Sequence, residues 1–164
     1  FERTYLDHCL RTFPGYFAAP NCRTCHCRGS ILTHDHYQGG RHTFPMELAP
    51  VEESFSVEGF EAVSLGIVNW PMSVLRLQSD DKAQLIALAD HILTAWRGYS
   101  DPAVQVLAAS DGQPHHTITP IARFVMGIMN WTWCSVTTKP HQSIQMVSIT
   151  RMQMCNTSKK KISA

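Results

Sequence analysis

Three polar side chains alternate along one short stretch of this sequence. In "THDHYQGG", residues 33–40, His34, His36 and Gln38 are spaced two apart after the apolar pair Ile31-Leu32. Because successive side chains of a β-strand point to opposite faces, an extended backbone here would place all three on one face. A neutral imidazole is a competent nucleophile towards phosphorus near neutral pH, and a carboxamide can donate hydrogen bonds to phosphoryl oxygens. The spacing therefore predicts attack on phosphorus by a histidine.

Two glycines and two basic residues follow this pattern. The Gly39-Gly40 pair is expected to let the backbone turn sharply, and its amides are of the kind that cradle phosphate oxygens. Arg41 and His42 suit contacts with phosphate or sugar, although an ordinary loop has the same composition. Further along, His115 in "PHHTITP" is a second candidate for a ligand contact.

Two other interpretations of the histidine pair stay open at this point. Histidines at i and i+2, as His34 and His36 are, also form half of many metal sites, for which zinc would need two more ligands. A plain surface or core pair of histidines has the same spacing.

A second constellation of reactive side chains lies in "PNCRTCHCRGS", residues 20–30. Cys22, Cys25 and His26 form the Cys-x-x-Cys-His motif of c-type haem attachment, and with Cys27 they also suit zinc. The remaining cysteines are scattered, so no familiar disulfide spacing is present. A small haem- or zinc-binding module is therefore an alternative function.

The elements that must position these side chains are mixed, which predicts an α+β fold. A helix is expected after Ser79, a reasonable N-cap, because apolar residues recur every three or four positions as far as Trp96. Gly98 is expected to close this helix in a left-handed cap. Trp96 and Trp70 fit core packing better than sugar stacking.

Three further segments read as strands, and one more as a helix. Ala62–Leu77 is rich in Val, Ile and Leu and breaks at Trp70-Pro71, which predicts two strands or one bent strand. Val104–Ala109 and Thr117–Arg123 are short strand candidates. A short amphipathic helix is expected within residues 1–17.

Composition excludes some classes of function. The 164 residues have a formal net charge of +1 and 44% hydrophobic residues, which fits one soluble domain. No apolar run approaches the roughly 18 residues of a membrane span, and nothing favours nucleic acid or a membrane surface as a partner. Because the chain starts at Phe1 without an initiator Met or a secretory segment, we expect a fragment of a longer, cytoplasmic protein.

Several blocks of the sequence resemble the second class of galactose-1-phosphate uridylyltransferases. These blocks are "GSILTHDHYQGGRHTFPMELAP", "GIVNWPMSVLRL", "ADHILTAWRGYSD" and "PHHTITPIAR", in the family's order. The resemblance covers Phe1–Phe17 and Ser30–Arg123. It implies an incomplete α+β domain, with an antiparallel sheet and flanking helices, that forms one half of a histidine-triad-like transferase.

The resemblance also implies a reaction and roles for the residues. UMP would move between UDP-glucose and galactose 1-phosphate through a uridylylated histidine. By the His-x-His-x-Gln pattern of the superfamily, His36 is the nucleophile, His34 its neighbour and Gln38 the donor to the phosphoryl group. Asp35 stands where the sister class has proline. The substrate-binding candidates are Gly39, Gly40, Arg41, His42 and His115. No cofactor is assigned, and a divalent metal or a homodimer of the intact enzyme stays open.

The resemblance breaks at two places, and a shifted reading frame explains both. Where a single-codon Met or Trp of the tail fixes the shifted residue, that residue matches the family's next block. We therefore expect residues 18–29 to be frame-shifted and residues 124–164 to be an aberrant, poorly ordered tail after a partial domain, residues 1–123. The cysteines at 22, 25 and 27 would then come from misreading, and the chain as written is expected to have little or no transferase activity.

Overall fold

The computed structural model describes residues 12–20, 37–125 and 128–137, and in them an antiparallel sheet packs against one long helix. The strands are β1 (Phe17–Pro20), β2 (Tyr37–Gly40), β3 (Val51–Phe55), β4 (Ser64–Val68), β5 (Val74–Ser79), β6 (Ala109–Ser110), β7 (Gln113–Pro114), β8 (His116–Val125) and β9 (Ile128–Thr137). The helices are α1 (Pro45–Leu48) and α2 (Lys82–Gly98). Seven strands form the main sheet in the order β2-β1-β8-β9-β5-β4-β3, and β6 pairs with β7 separately. The predicted α+β class with an antiparallel sheet is confirmed.

The long helix α2 buries the apolar face that its sequence predicted. The residues buried on this face are Leu85, Leu88, Ala89, Ile92, Leu93 and Trp96. They form one core with the sheet residues Leu65, Ile67, Leu75, Leu77 and Ala122. Each fully buried Leu or Ile side chain in this core contributes about 1.5–3 kcal/mol to the free energy of unfolding. Trp96 is 1% exposed, which confirms its predicted place in the core.

Both predicted ends of α2 are wrong by a few residues. Asp81, not Ser79, is the N-cap, and its carboxylate accepts hydrogen bonds from the amides of Ala83 and Gln84. The Ser79 hydroxyl is instead used across the fold, where it donates to Ala62 O at 2.7 Å. The helix continues through Gly98, and the capping residue Tyr99 has an ordinary φ of −77°, so there is no left-handed cap.

The strand predictions hold in two of three cases. Ala62–Leu77 covers β4 and most of β5, which continues to Ser79, and Thr117–Arg123 lies within β8. Val104–Ala109 is not a strand, because Pro102–Val104 form a 3-10 turn and Gln105 follows in the left-handed region at φ 57°. Residues 1–11, which contain most of the helix predicted near the start, and the Ile31-Leu32 strand lie outside the described residues.

The strand β9 lies where the sequence analysis expected the start of an aberrant tail at residue 124. Here β8 continues to Val125, and Ile128–Thr137 form β9 between β8 and β5. The physical reason is backbone hydrogen bonding: β5 and β8 each need a partner strand along one side, and β9 supplies it. The sequence of β9 is also rich in β-branched and aromatic residues, which favour strands. Residues 138–164 lie outside the described residues, and the division at residue 123 stays a prediction.

The second face of the sheet carries α1. Its small apolar cluster consists of Met46, Val68 and Val74, with Trp70 half-buried against it. Because antiparallel partners point to the same side, the pairing of Phe17 with both Gly40 and Arg123 places all three on one face. Neither α1 nor α2 is long and apolar enough to cross a membrane, and this holds for the described ranges only.

At one edge of the sheet, β3 pairs irregularly with β4. The register shifts between Val51 and Glu53, which is a β-bulge, and Glu52 and Glu53 are both exposed. A Cβ added to Gly66 of β4 would lie 2.5 Å from Val51 Cγ1. Glycine is therefore required at this position for the two strands to approach.

Candidate functional site

Gln38 lies on β2, the strand at the other end of the sheet order. It pairs with Ala19 of β1, and its side chain is exposed. His34 and His36 lie outside the described residues, so their placement on the face of Gln38 stays a prediction. The same is true of the cysteine cluster between Cys22 and Cys27.

Gly39 and Gly40 are part of the strand and do not form the sharp turn expected of them. Neither has a positive φ. Their lack of a side chain serves close packing on Phe17 of β1: a Cβ on Gly39 would lie 3.2 Å from the Phe17 carbonyl oxygen, and a Cβ on Gly40 would lie 3.2 Å from Phe17 Cε1. A side chain at either position would require Phe17 to shift by a few tenths of an ångström, so glycine suits the close approach of the neighbouring strand. A phosphate contact of their amides stays a prediction.

Arg41 and His42 follow β2 directly and are both exposed. The guanidinium carbon of Arg41 lies 5.1 Å from the centroid of the Tyr16 ring, within the range of a cation–π contact. The His42 ring meets Phe44 edge to face at 5.1 Å. Gln38 thus lies on β2, and Arg41 and His42 directly follow that strand, with the side chains of the last two in contact with aromatic rings.

Arg123, which sequence reasoning did not select, is the most heavily bonded side chain of this region. It is 8% exposed, and its Nε and Nη2 donate to the two oxygens of Glu47 at 2.8 and 3.0 Å. Its Nη1 donates to Gly15 O at 2.6 Å, and Nη2 also donates to His42 O. The only sequence signal was an arginine inside an apolar strand, at the end of the block "PHHTITPIAR".

A second arginine holds the other end of α1. Arg76 Nη2 donates to the carbonyl oxygens of Met46 and Ala49 at 2.9 and 3.0 Å. Burial lowers the pKa of the Arg76 guanidinium, and the nearby carboxylate of Glu47 opposes that effect. The segment after β2 is thus attached to the sheet by two arginines, one on β5 and one on β8.

His115 lies at the far end of β8 from this group. Its Nε2 is 2.6 Å from Ser110 Oγ, and its amide donates to Ala108 O at 2.8 Å. His115 and Arg123 are eight residues apart along an extended segment, about 25 Å at the usual strand rise. In the part of the chain that the structure describes, His115 is therefore not brought to Gln38, Arg41 and His42.

The neighbouring His116 is a core residue. Its ring stacks on Trp96 with centroids 4.2 Å apart, and its Nε2 donates to Tyr99 O at 2.9 Å. Burial lowers the pKa of the His116 imidazole; the bond to Tyr99 acts in the opposite sense, and His115 lowers it further. Nδ1 is buried and has no hydrogen-bond partner among the described residues. This histidine is held neutral and serves packing.

Among residues 12–20, 37–125 and 128–137, no cluster of three or more His, Cys, Asp or Glu side chains could hold a metal ion.

A family model and curated relatives of this chain agree on one family. The family model described as "Galactose-1-phosphate uridyl transferase, C-terminal domain" matches residues 9–142. It runs through the interruption expected at residues 18–29 and past the end expected near residue 123.

The curated relatives have names that agree with this family model. The "Galactose-1-phosphate uridylyltransferase" of Streptococcus thermophilus is 66% identical over 114 residues, which is 70% of this chain and 23% of the relative. The "Galactose-1-phosphate uridylyltransferase 2" of Streptococcus pneumoniae serotype 4 is 68% identical over 123 residues, 75% of this chain and 24% of the relative. This chain therefore spans about a quarter of the length of these relatives. No solved structure matches it.

Proposed function

Because this chain belongs to the galactose-1-phosphate uridyl transferase C-terminal domain family, we propose that it is part of an enzyme that moves UMP between UDP-glucose and galactose 1-phosphate. The observation that carries the proposal is the match of residues 9–142 to that family, with relatives of that name 66–68% identical to this chain. The exposed group of Gln38, Arg41 and His42 at the end of β2 is compatible with it.

In the proposed reaction, His36 is the nucleophile. Its imidazole nitrogen attacks the α-phosphorus of UDP-glucose, a P–N bond forms, and the bond from that phosphorus to the bridging oxygen breaks, so glucose 1-phosphate leaves with the oxygen. A phosphate oxygen of galactose 1-phosphate then attacks the same phosphorus and releases the imidazole, which gives UDP-galactose. His34 orients His36, and the Gln38 amide donates to the phosphoryl oxygens.

The substrate phosphates are proposed to meet the residues that follow His36. Arg41 supplies a permanent positive charge with planar donors, which suits phosphate oxygens. His42 and the amides of Gly39 and Gly40 add donors, and His115, which lies about 25 Å along the strand from Arg123, is a separate candidate for a ligand contact. A cytoplasmic location and a homodimer of the intact enzyme are part of this proposal.

The experiment uses a hybrid, because this chain is only part of its relatives' length. The segments of the pneumococcal relative that match Phe1–Phe17 and Ser30–Arg123 are replaced by those of this chain. We expect the hybrid to transfer UMP and to carry a labelled histidine at position 36 after incubation with UDP-glucose. His36→Gln should abolish the label, and His91→Gln, on the exposed side of α2, should leave it unchanged.

Two results would contradict the proposal. One is a hybrid that folds and has no transferase activity, and the other is a label that persists in His36→Gln. The chain as written is a separate case, because we propose that residues 18–29 are frame-shifted. We expect it to form little or no labelled histidine by itself.

A further inference from the structure

Arg123 donates hydrogen bonds to the backbone beside both members of the Arg41–Tyr16 pair. One nitrogen of its guanidinium, Nη1, holds the carbonyl of Gly15, which immediately precedes Tyr16. Another, Nη2, holds the carbonyl of His42, which immediately follows Arg41. A single buried side chain therefore fixes the backbone next to both the cation and the ring that it covers.

The Arg123 guanidinium, which we call the clamp, is itself fixed in one orientation. Glu47 accepts from Nε and Nη2 of Arg123, and the same carboxylate accepts from the amide of Phe44 at 3.2 Å. The Phe17 ring lies 5.8 Å from the guanidinium carbon of Arg123. A planar guanidinium with this many partners has no alternative rotamer that keeps its hydrogen bonds, so the clamp is rigid.

We propose that Arg123 is a positioning residue that orients Arg41 for a substrate phosphate, with Tyr16 as the surface against which Arg41 is held. This inference rests on the proposed function for its substrate. Its structural part does not: Arg41 is exposed, and a long charged side chain in water has many rotamers unless something restricts it. The Tyr16 ring restricts it, and Arg123 keeps ring and cation at contact distance.

The first measurement is a spectroscopic one on the full chain. Side-chain protons of Arg41 that lie over the Tyr16 ring should show upfield ring-current shifts in the NMR spectrum. Arg123→Lys should remove most of these shifts, because one ammonium cannot hold the Gly15 and His42 carbonyls in the same planar geometry. Tyr16→Phe, which keeps a ring, should retain the shifts, and Tyr16→Leu should lose them.

A matched control separates positioning from stability. Arg97→Gln changes an exposed arginine in the last turn of α2 and should leave the Arg41 shifts unchanged. The inference is overturned if Arg41 has no upfield shift in the unmodified chain, or if Arg123→Lys folds and keeps the shift. Should Arg123→Lys fail to fold, Glu47→Gln takes its place, and an unchanged Arg41 shift in that variant likewise overturns the inference.

The second measurement addresses the substrate and uses the hybrid enzyme. Arg123→Lys and Tyr16→Leu should raise KM for galactose 1-phosphate about tenfold with a smaller change in kcat, which is the size of effect expected when one hydrogen bond to a charged group is lost. Tyr16→Phe should restore KM. An unmodified hybrid without activity would contradict the proposed function and leave the NMR result to decide the role of Arg123. An active hybrid whose KM is unaffected by both changes overturns the inference.

Discussion

At the scale of single residues, the Arg123–Glu47 pair is the interaction on which this region depends. The two side chains are 9% and 14% exposed, and they are joined by parallel hydrogen bonds. Such a pair contributes little net stability compared with apolar residues of the same volume, but removing one partner leaves an uncompensated buried charge. Removing one partner should therefore lower the free energy of unfolding more than the pair's own net contribution would suggest.

We expect Arg123→Met and Glu47→Gln each to lower the free energy of unfolding by about 3 kcal/mol. The double variant should cost clearly less than the sum of the two, because no charge is then left unpaired. Urea unfolding monitored by tryptophan fluorescence gives these values. Arg97→Met, an exposed change, should stay within about 0.5 kcal/mol of the unmodified chain. Strictly additive single effects would contradict the account of this pair.

His116 makes stability depend on pH with a definite sign. Burial lowers its pKa in the folded state, whereas the unfolded chain has the ordinary value of about 6.5. Below that pH the unfolded state binds the proton more readily, so the stability that is fully present above about pH 6.5 is lost as the pH falls. Relative to His116→Phe, the unmodified chain should therefore lose stability as the pH falls below about 6.5.

Urea midpoints for the unmodified chain and His116→Phe at several pH values give the comparison. Parallel pH curves for the unmodified chain and His116→Phe would contradict the assignment of His116 as a buried neutral group.

The sequence predicted individual site residues only where spacing along the chain carries the information. Gln38, Arg41 and His42 were selected because they lie within five positions of each other, and their role as one site stays a prediction. Arg123 was missed because its partner Glu47 is 76 residues away, and nothing in the sequence near either residue indicates the other. His115 was selected as a ligand contact, but its Ser110 partner depends on a hairpin that was not predicted.

At the scale of elements, α2 shows which features of a helix the sequence determines. The apolar period fixes the buried face, because burying that stripe outweighs every local preference. The caps depend on differences of about 1 kcal/mol among neighbouring residues, so the choice between Ser79 and Asp81 could not be made from the sequence. Ser79 was already engaged by Ala62 O, a contact between separate segments.

Asp81→Ala should lower the free energy of unfolding by about 1 kcal/mol, because the amides of Ala83 and Gln84 lose their acceptor. Asp80, one position earlier and exposed, gives a matched control for the loss of one carboxylate near the helix start. Asp80→Ala should change the free energy by at most about 0.5 kcal/mol. Thermal unfolding with both variants tests this. Equal effects of the two substitutions would mean that a diffuse interaction with the helix dipole, not the cap, is responsible.

At the scale of the whole molecule, β9 decides whether the sheet is continuous. It pairs with β8 along ten residues and with β5 along six, so it joins the β2-β1-β8 half of the sheet to the β5-β4-β3 half. Sequence patterns did not predict this, because the segment after Arg123 shows no sustained period of 2 or 3.6. The two neighbouring strands supply the hydrogen bonds that fix its conformation, and that information is not local.

Truncation tests the role of β9 directly. A chain that ends after Val125 should not unfold cooperatively, because β5 and β8 would each present an unpaired edge at the centre of the fold. A chain that ends after residue 142, the limit of the family match, should retain cooperative unfolding. Circular dichroism during urea titration separates the two results. A well-folded product of the shorter truncation would mean that the sheet does not need β9.

The irregular pairing of β3 has a consequence for the behaviour of concentrated solutions. A regular, uncharged outer strand is a template on which another copy can add its own backbone, and repeated addition produces fibres. Here the register shift between Val51 and Glu53 breaks the regular spacing of backbone hydrogen-bonding groups along β3. The exposed carboxylates of Glu52 and Glu53 also repel an identical neighbouring strand. Self-association at this edge of the sheet is therefore discouraged both by the irregular backbone and by the like charges.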